Sequence, residues 1–199
     1  MREALSPATI AVLVEGIQGE SGIHCATVDY LFGLRKLCDE NNLLMLIDGV
    51  QFGHFRTGCF QSFQRILENS EQGGSFLPDG ISMAKSLGGG FPIGGVWIRE
   101  PYADILGPGS HGTTFGGSPL ACSVALKIME IIDRDHLADH ARSLGIWLML
   151  MAMMSLMRFC KSEMRDSRNI CRSLAALNSA FSLRSPCSRA VKMALGIST

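Results

Sequence analysis

Two short runs, TIAVLVE (Thr9 to Glu15) and NLLMLID (Asn42 to Asp48), are apolar almost without interruption. Unbroken apolar runs of this length suit strands covered on both faces of a parallel sheet, whereas a half-exposed strand alternates. Between them the period changes: Tyr30, Leu31, Leu34, Leu37 and Cys38 recur at helical spacing, which predicts a βαβ unit. A third run, GISMA (Gly80 to Ala84), leads directly into Lys85, and GGVWIRE (Gly94 to Glu100) predicts a fourth strand. Helical spacing returns in SPLACSVALKIMEIIDRD, where Ser118 can cap and Pro119 takes the first helical position. The order predicts an α/β fold. In open α/β sheets ligands sit beyond the carboxyl ends of the strands, and Asp48 and Lys85 each fall where a predicted strand ends.

Composition narrows the classes. The chain has 199 residues, 47% of them hydrophobic, which is enough for a sizeable core. Eighteen basic residues balance eighteen acidic ones, so overall charge argues for neither a nucleic-acid nor a membrane partner. Seven scattered cysteines without a CxxC pair predict reduced thiols in a cytoplasmic setting and no metal site. The start carries no long apolar segment behind a basic one, so a secretory signal is not expected. The most apolar run, Ile146 to Met157, is shorter than the roughly 20 residues of a spanning helix.

The average conceals a break. Residues 149–199 hold 7 of the 11 methionines, 8 basic residues, 2 acidic ones and 1 of the 22 glycines. Residues 1–147 therefore read as one α/β domain and 148–199 as an atypical tail rich in Met and Arg. Two readings of that tail stand: a Met-rich amphipathic helix, or an out-of-frame segment with poor order. Methionine has one codon, so starting each triplet at its third base turns Met151-Ala152 into glycine and Met153-Met154 into aspartate.

Asp48 at a strand end is costly to desolvate without a cation or strong donor, so a cap or an ion pair to Arg56 is one reading. Lys85 alone reads as a snorkelling lysine. Together the two change the picture. A lysine ending one strand, an aspartate ending another, glycines 88 to 90 for close backbone approach, and the cluster HGTTFGGSP suit an aldehyde cofactor bearing a phosphate. The glycine run fits neither the dinucleotide nor the nucleoside-triphosphate motif.

Four stretches carry a family resemblance: VEGIQGESGI (14–23), LRKLCDENNLLMLIDGVQFGHFRTG (34–58), PDGISMAKSLGGGFPIGG (78–95) and GPGSHGTTFGGSPLAC (107–122). In this order and spacing, over about residues 8–147, the chain resembles class III pyridoxal-phosphate aminotransferases, in the acetylornithine and ornithine branch. The resemblance implies part of the fold-type-I large domain, a partial three-layer sandwich on a mostly parallel sheet. It implies that Lys85 carries pyridoxal 5'-phosphate, Asp48 pairs with the pyridine nitrogen, Val50 packs on the ring and Gln51 bonds the ring oxygen. Thr114 is expected to bind the cofactor phosphate of a neighbouring subunit in a homodimer, and Glu20 to gate the site between two substrates. Thr113 and Gly117 are expected to shape that loop, and Arg56 to pair with a carboxylate.

The implied activity is amino transfer from acetylornithine or ornithine to 2-oxoglutarate in arginine biosynthesis. The alternative is a non-catalytic relic or interaction module that binds the cofactor or pairs with a full-length subunit. Family members usually have proline at Gly16 and glutamate at Gly49; the glycines are expected to loosen both places and weaken cofactor binding. The resemblance also begins inside the large domain and lacks the small domain, so a fragment is expected.

Overall fold

The computed structural model describes residues 2–163. The chain divides into two units between Ser143 and Leu144. In the first, four strands form one sheet: β1 (Ala11–Val14), β4 (Leu44–Asp48), β5 (Gly80–Met83) and β6 (Gly95–Ile98), in the order β1-β4-β5-β6. β1 pairs with β4 and β4 with β5 in parallel, while β6 returns antiparallel to β5. The small antiparallel pair β2 (Ile17–Gln18) and β3 (His24–Cys25) follows β1. The expected α/β class and mostly parallel sheet are what the chain forms.

Helix α1 (Val28–Glu40) makes the crossover from β1 to β4. It starts where the Thr27 hydroxyl accepts the Tyr30 N–H at 3.1 Å, satisfying one donor of the first turn. Its buried stripe, Leu31, Leu34, Leu37 and Cys38, is the helical pattern of the sequence. That stripe meets Val12, Met45, Ile47 and Ile81 from the sheet, and Phe63 and Leu67 from the short α2 (Ser62–Leu67) close the cluster. Each fully buried Leu, Ile or Met contributes roughly 1.5–3 kcal/mol.

Alternate residues point the other way, and here the structure departs from the expected cover on both faces. Leu13 is 64% exposed, Val96 likewise, and Leu46 and Asp48 are half-buried. Among the described residues α1 and α2 pack on one face, so the continuous apolar runs find cover on that side only. Asp48 and Ser82, a register pair, share the more open face.

One buried carboxylate fastens the amino ends of the strands. Asp79 is 1% exposed; its Oδ2 accepts the Met45 N–H at 2.8 Å and Nη1 of Arg35 at 2.7 Å, while Arg99 Nη2 lies 2.5 Å from Oδ1. Burial works against the Arg35 charge, but the hydrogen bond and attraction to Asp79, with Asp39 adding to them, hold its pKa above the ordinary value.

Helix α3 (Pro119–Arg134) opens as expected, with Ser118 Oγ accepting the Ala121 N–H at 3.3 Å and Pro119 at the first position. Helix α4 (Leu137–Glu163) follows, and Arg142 near its start pairs with Glu68 and donates to the Gly58 carbonyl at 3.3 Å. Of the tail, residues 148–163 continue this helix; 164–199, with the rest of the frame-or-order question, lie outside the described residues. Counted by helix instead of by apolar run, Leu137–Met157 spans 21 residues at mean hydropathy 1.2, so length alone does not exclude a membrane span. Asp139 and the paired Arg142 lie within it.

Replacing Asp79 leaves two arginines and a strand amide facing its place. Asp79→Ala is expected to lower unfolding free energy by about 3–5 kcal/mol in a denaturant titration, the cost of breaking a buried pair from one side.

Candidate functional site

The carboxyl ends of β4 and β5 build the site. Asp48 is the last residue of β4 and lies in register with Ser82, and the Gly49 N–H continues the ladder to the Ser82 carbonyl at 3.0 Å. Asp48 Oδ1 accepts the Val50 N–H at 3.0 Å and the Ser82 hydroxyl at 3.1 Å. Its second oxygen takes no hydrogen bond from any described residue. The alternative of an ion pair between Asp48 and Arg56 does not occur among the described residues.

Two residues beyond β5 the chain turns through the 3₁₀ segment Lys85–Gly88. Lys85 has φ +46, a left-handed value that costs a side-chain-bearing residue of order 1 kcal/mol or more, and its side chain is exposed. The turn is closed by Leu87 N–H to the Ala84 carbonyl at 2.9 Å and Gly89 N–H to the Ser86 carbonyl at 3.3 Å. A Cβ at Gly89, itself at φ +56, would come within 2.6 Å of Ile128 Cδ1, so α3 rests against the turn.

The loop after β4 brings Gln51 to Glu20, with Nε2 donating to Oε1 at 2.5 Å. Both line a shallow cleft of about 350 Å³ with Gly19, Ile23, Phe52 and Arg56. Arg56 thus shares a cleft with a carboxylate, Glu20, without an ion pair to it among the described residues. Thr114 is exposed in the segment between Gly107 and Ser118, and no hydrogen bond joins it to the other site residues. Gly117 in that segment has φ +67, and Thr113 accepts the Gly116 N–H through its carbonyl at 3.3 Å.

Gly16 and Gly49 differ from expectation. A Cβ at Gly49 would lie 2.3 Å from Gln61 Oε1 and 2.9 Å from the Ser82 carbonyl; one at Gly16 would lie 2.5 Å from Ser62 Oγ. Neither position is loose. Each glycine admits a neighbouring polar side chain, and the buried Gln61 amide fills the space beside Gly49 and Gly53.

Sequence reasoning passed over Ser82, Gln61 and His54. Ser82 carries no local signal, since its place opposite Asp48 follows from the pairing of β4 with β5. His54, flanked by apolar neighbours in FGHF, gave only a weak signal; it is 4% exposed, and Nδ1 lies 3.2 Å from Ser86 Oγ. Burial holds its pKa below the ordinary value.

The open, mostly parallel sheet defines an α/β transferase fold, and Asp48 and the Lys85 turn follow two of its adjacent parallel strands. The sequence profile described as Aminotransferase class-III matches residues 1–155, and the chain belongs to that family. It is 43% identical over 152 residues to acetylornithine aminotransferase of Myxococcus xanthus, covering 76% of this chain and 36% of that protein. It is 45% identical over 133 residues to acetylornithine aminotransferase of Methanocaldococcus jannaschii, covering 67% and 31%. The crystal structure of acetylornithine aminotransferase from Elizabethkingia anophelis superposes with a TM-score of 0.64 at 34% identity, over 74% of this chain and 37% of that one. An ornithine aminotransferase from Toxoplasma gondii, with PLP partially occupying its active site, gives 0.60 at 38% identity, over 69% and 30%. The chain spans about a third of the length of the curated relatives it matches.

Two outcomes test the packing and charge of the site. Gly49→Ala should cost about 1–3 kcal/mol in thermal unfolding, and pairing it with Gln61→Ala should cost less than the two changes summed. For His54 the depressed pKa sets the sign: below about 6.5 the unfolded chain takes up a proton that the folded chain refuses, so folding stability falls as pH drops through that region. His54→Phe should remove that part of the pH dependence in chemical denaturation at several pH values.

Proposed function

We propose that this chain is the part of an acetylornithine-type aminotransferase that holds pyridoxal 5'-phosphate, and that the protein transfers an amino group from acetylornithine or ornithine to 2-oxoglutarate. One observation carries the reading: Asp48 and the Lys85 turn end adjacent parallel strands, in register through Ser82.

The residues present suit the cofactor. Lys85 offers a solvent-reached amine, and Asp48 has one oxygen fastened and the other without a described partner. Gln51 spends one of two amide hydrogens on Glu20 and keeps the other. When bound, the cofactor would supply an electron sink that weakens the C–H bond at the substrate carbon bearing the transferred amine.

The protein's own residues do the rest. Asp48, anchored by Val50 and Ser82, would keep the ring nitrogen protonated by offering it a fixed anion. Gln51 would bond the ring oxygen and Val50 would pack on the ring face. The Lys85 amine would take the proton from the substrate carbon that bears the transferred amine as general base and return it as general acid. Glu20, held by Gln51, gates the site between amino donor and keto acid, and the two half-reactions give ping-pong kinetics. Thr114 would hold the cofactor phosphate of a second subunit, which makes the working form a homodimer. Its place is arginine biosynthesis in the cytoplasm, with small-molecule partners and neither nucleic acid nor membrane.

Mixing the full chain with pyridoxal phosphate, reducing with borohydride and mapping the adduct by mass spectrometry tests this. Label should fall on Lys85 and vanish in Lys85→Ala; Asp48→Asn should weaken cofactor retention by about tenfold or more, as expected for loss of a charged partner. Labelling spread evenly over surface lysines would sink the proposal.

A further inference from the structure

The Lys85 turn is tied to the loop after β4 by a side-chain pair that the transfer chemistry does not call on, Nδ1 of His54 lying 3.2 Å from Oγ of Ser86. His54 takes φ +51 and Phe55 φ +66. Two consecutive side-chain-bearing residues in the left-handed region are costly, and such a loop persists only where its contacts hold it. Those contacts are specific. The His54 N–H donates to the Phe60 carbonyl at 2.7 Å, and the ring stands edge-on to Phe60 at 5.5 Å and 88°. The remaining reach of the side chain goes to Ser86, the residue after Lys85, while Nε2 is buried without a hydrogen-bond partner among the described residues. As a neutral ring, His54 can accept from or donate to the Ser86 hydroxyl through Nδ1.

Resting on the aminotransferase reading above, we propose that His54 is a positioning residue, which through Ser86 holds the Lys85 turn at a set distance from the loop bearing Asp48, Val50 and Gln51. Asp48 and Ser82 already join the strand ends. Beyond that point the turn's own hydrogen bonds, Leu87 to Ala84 and Gly89 to Ser86, shape it without fixing it to the neighbouring loop. The His54–Ser86 pair supplies that link. Lys85 itself sits at φ +46, so a turn released from the pair can relax and carry the amine away from Asp48.

The full chain and four variants test this: Ser86→Ala, His54→Phe, His54→Asn, and Ser86→Ala combined with His54→Phe. Hydrogen exchange of the Leu87 and Gly89 amides is followed without cofactor, and the rate of borohydride-fixed labelling of Lys85 with pyridoxal phosphate. Ser86→Ala and His54→Phe should each speed exchange and slow labelling by about fivefold, the scale of one neutral hydrogen bond. The double variant should be no worse than either single one, because both remove the same contact. His54→Asn, whose amide can stand where Nδ1 stands, should restore most of both rates. Unchanged exchange in Ser86→Ala, fully additive effects, or faster exchange with an unchanged labelling rate would each overturn the proposal. Ser86→Ala decides alone if His54→Phe fails to fold. A parent chain that takes no label on Lys85 refutes the aminotransferase reading instead, and exchange still decides whether the pair holds the turn.

Discussion

The parallel register of β4 against β5 is the constraint on which the site rests. It sets Asp48 opposite Ser82 and so decides what the carboxylate meets at the sheet edge. Had the pairing slipped by one residue, Asp48 would face the α1 side of the sheet, among Ile81 and the buried leucines, where an anion without a cation is expensive. The register is held by that same apolar face, since Met45, Ile47 and Ile81 can bury themselves only in this phase. Packing on one face thus positions chemistry on the other.

Two aspartates at these strand ends show how the same group is either closed into the fold or left open. Asp79, at the amino end of β5, is closed in by two arginines and a backbone amide. Its charge is consumed by the fold. Asp48, at the carboxyl end of β4, has only Oδ1 occupied, by an amide and a hydroxyl that orient it without neutralising it. An oriented anion with an open oxygen can still discriminate for a cationic ring nitrogen, whereas a saturated one cannot.

Legibility followed from how local each signal was. The helical stripe of α1, the cap at Ser118 and the apolar runs of β1, β4 and β5 depend on residues close in sequence, and all were readable. So were the places of Asp48 and Lys85, because strand ends can be located from where apolar runs stop. What escaped needed distant partners: β6 returning antiparallel, the short β2–β3 pair, α2, the Ser82 hydroxyl and the His54–Ser86 contact. The bare face of the sheet was hidden for another reason, since an apolar run records what a strand can bury and not which neighbours are there to bury it. Gly16 and Gly49 misled because a glycine read alone implies freedom. Here Ser62 and Gln61, tens of residues further on, take the space that the absent side chains leave.

Backbone strain points to the same edge of the sheet as the side chains do. Among the described residues, six other than glycine have positive φ: Ile23, Asn42, His54, Phe55, Lys85 and His136. Asn42 and His136 follow helices, where a left-handed residue ends the coil at modest cost. Ile23, which lines the Glu20–Gln51 cleft, has no such excuse, being β-branched, and His54, Phe55 and Lys85 sit on the two loops that follow β4 and β5. A chain selected for stability alone would place glycine or asparagine there. Retaining bulky and charged side chains at these angles fixes where those side chains go, on the two loops that leave the strand ends of Asp48 and Ser82 and in the cleft beside Glu20.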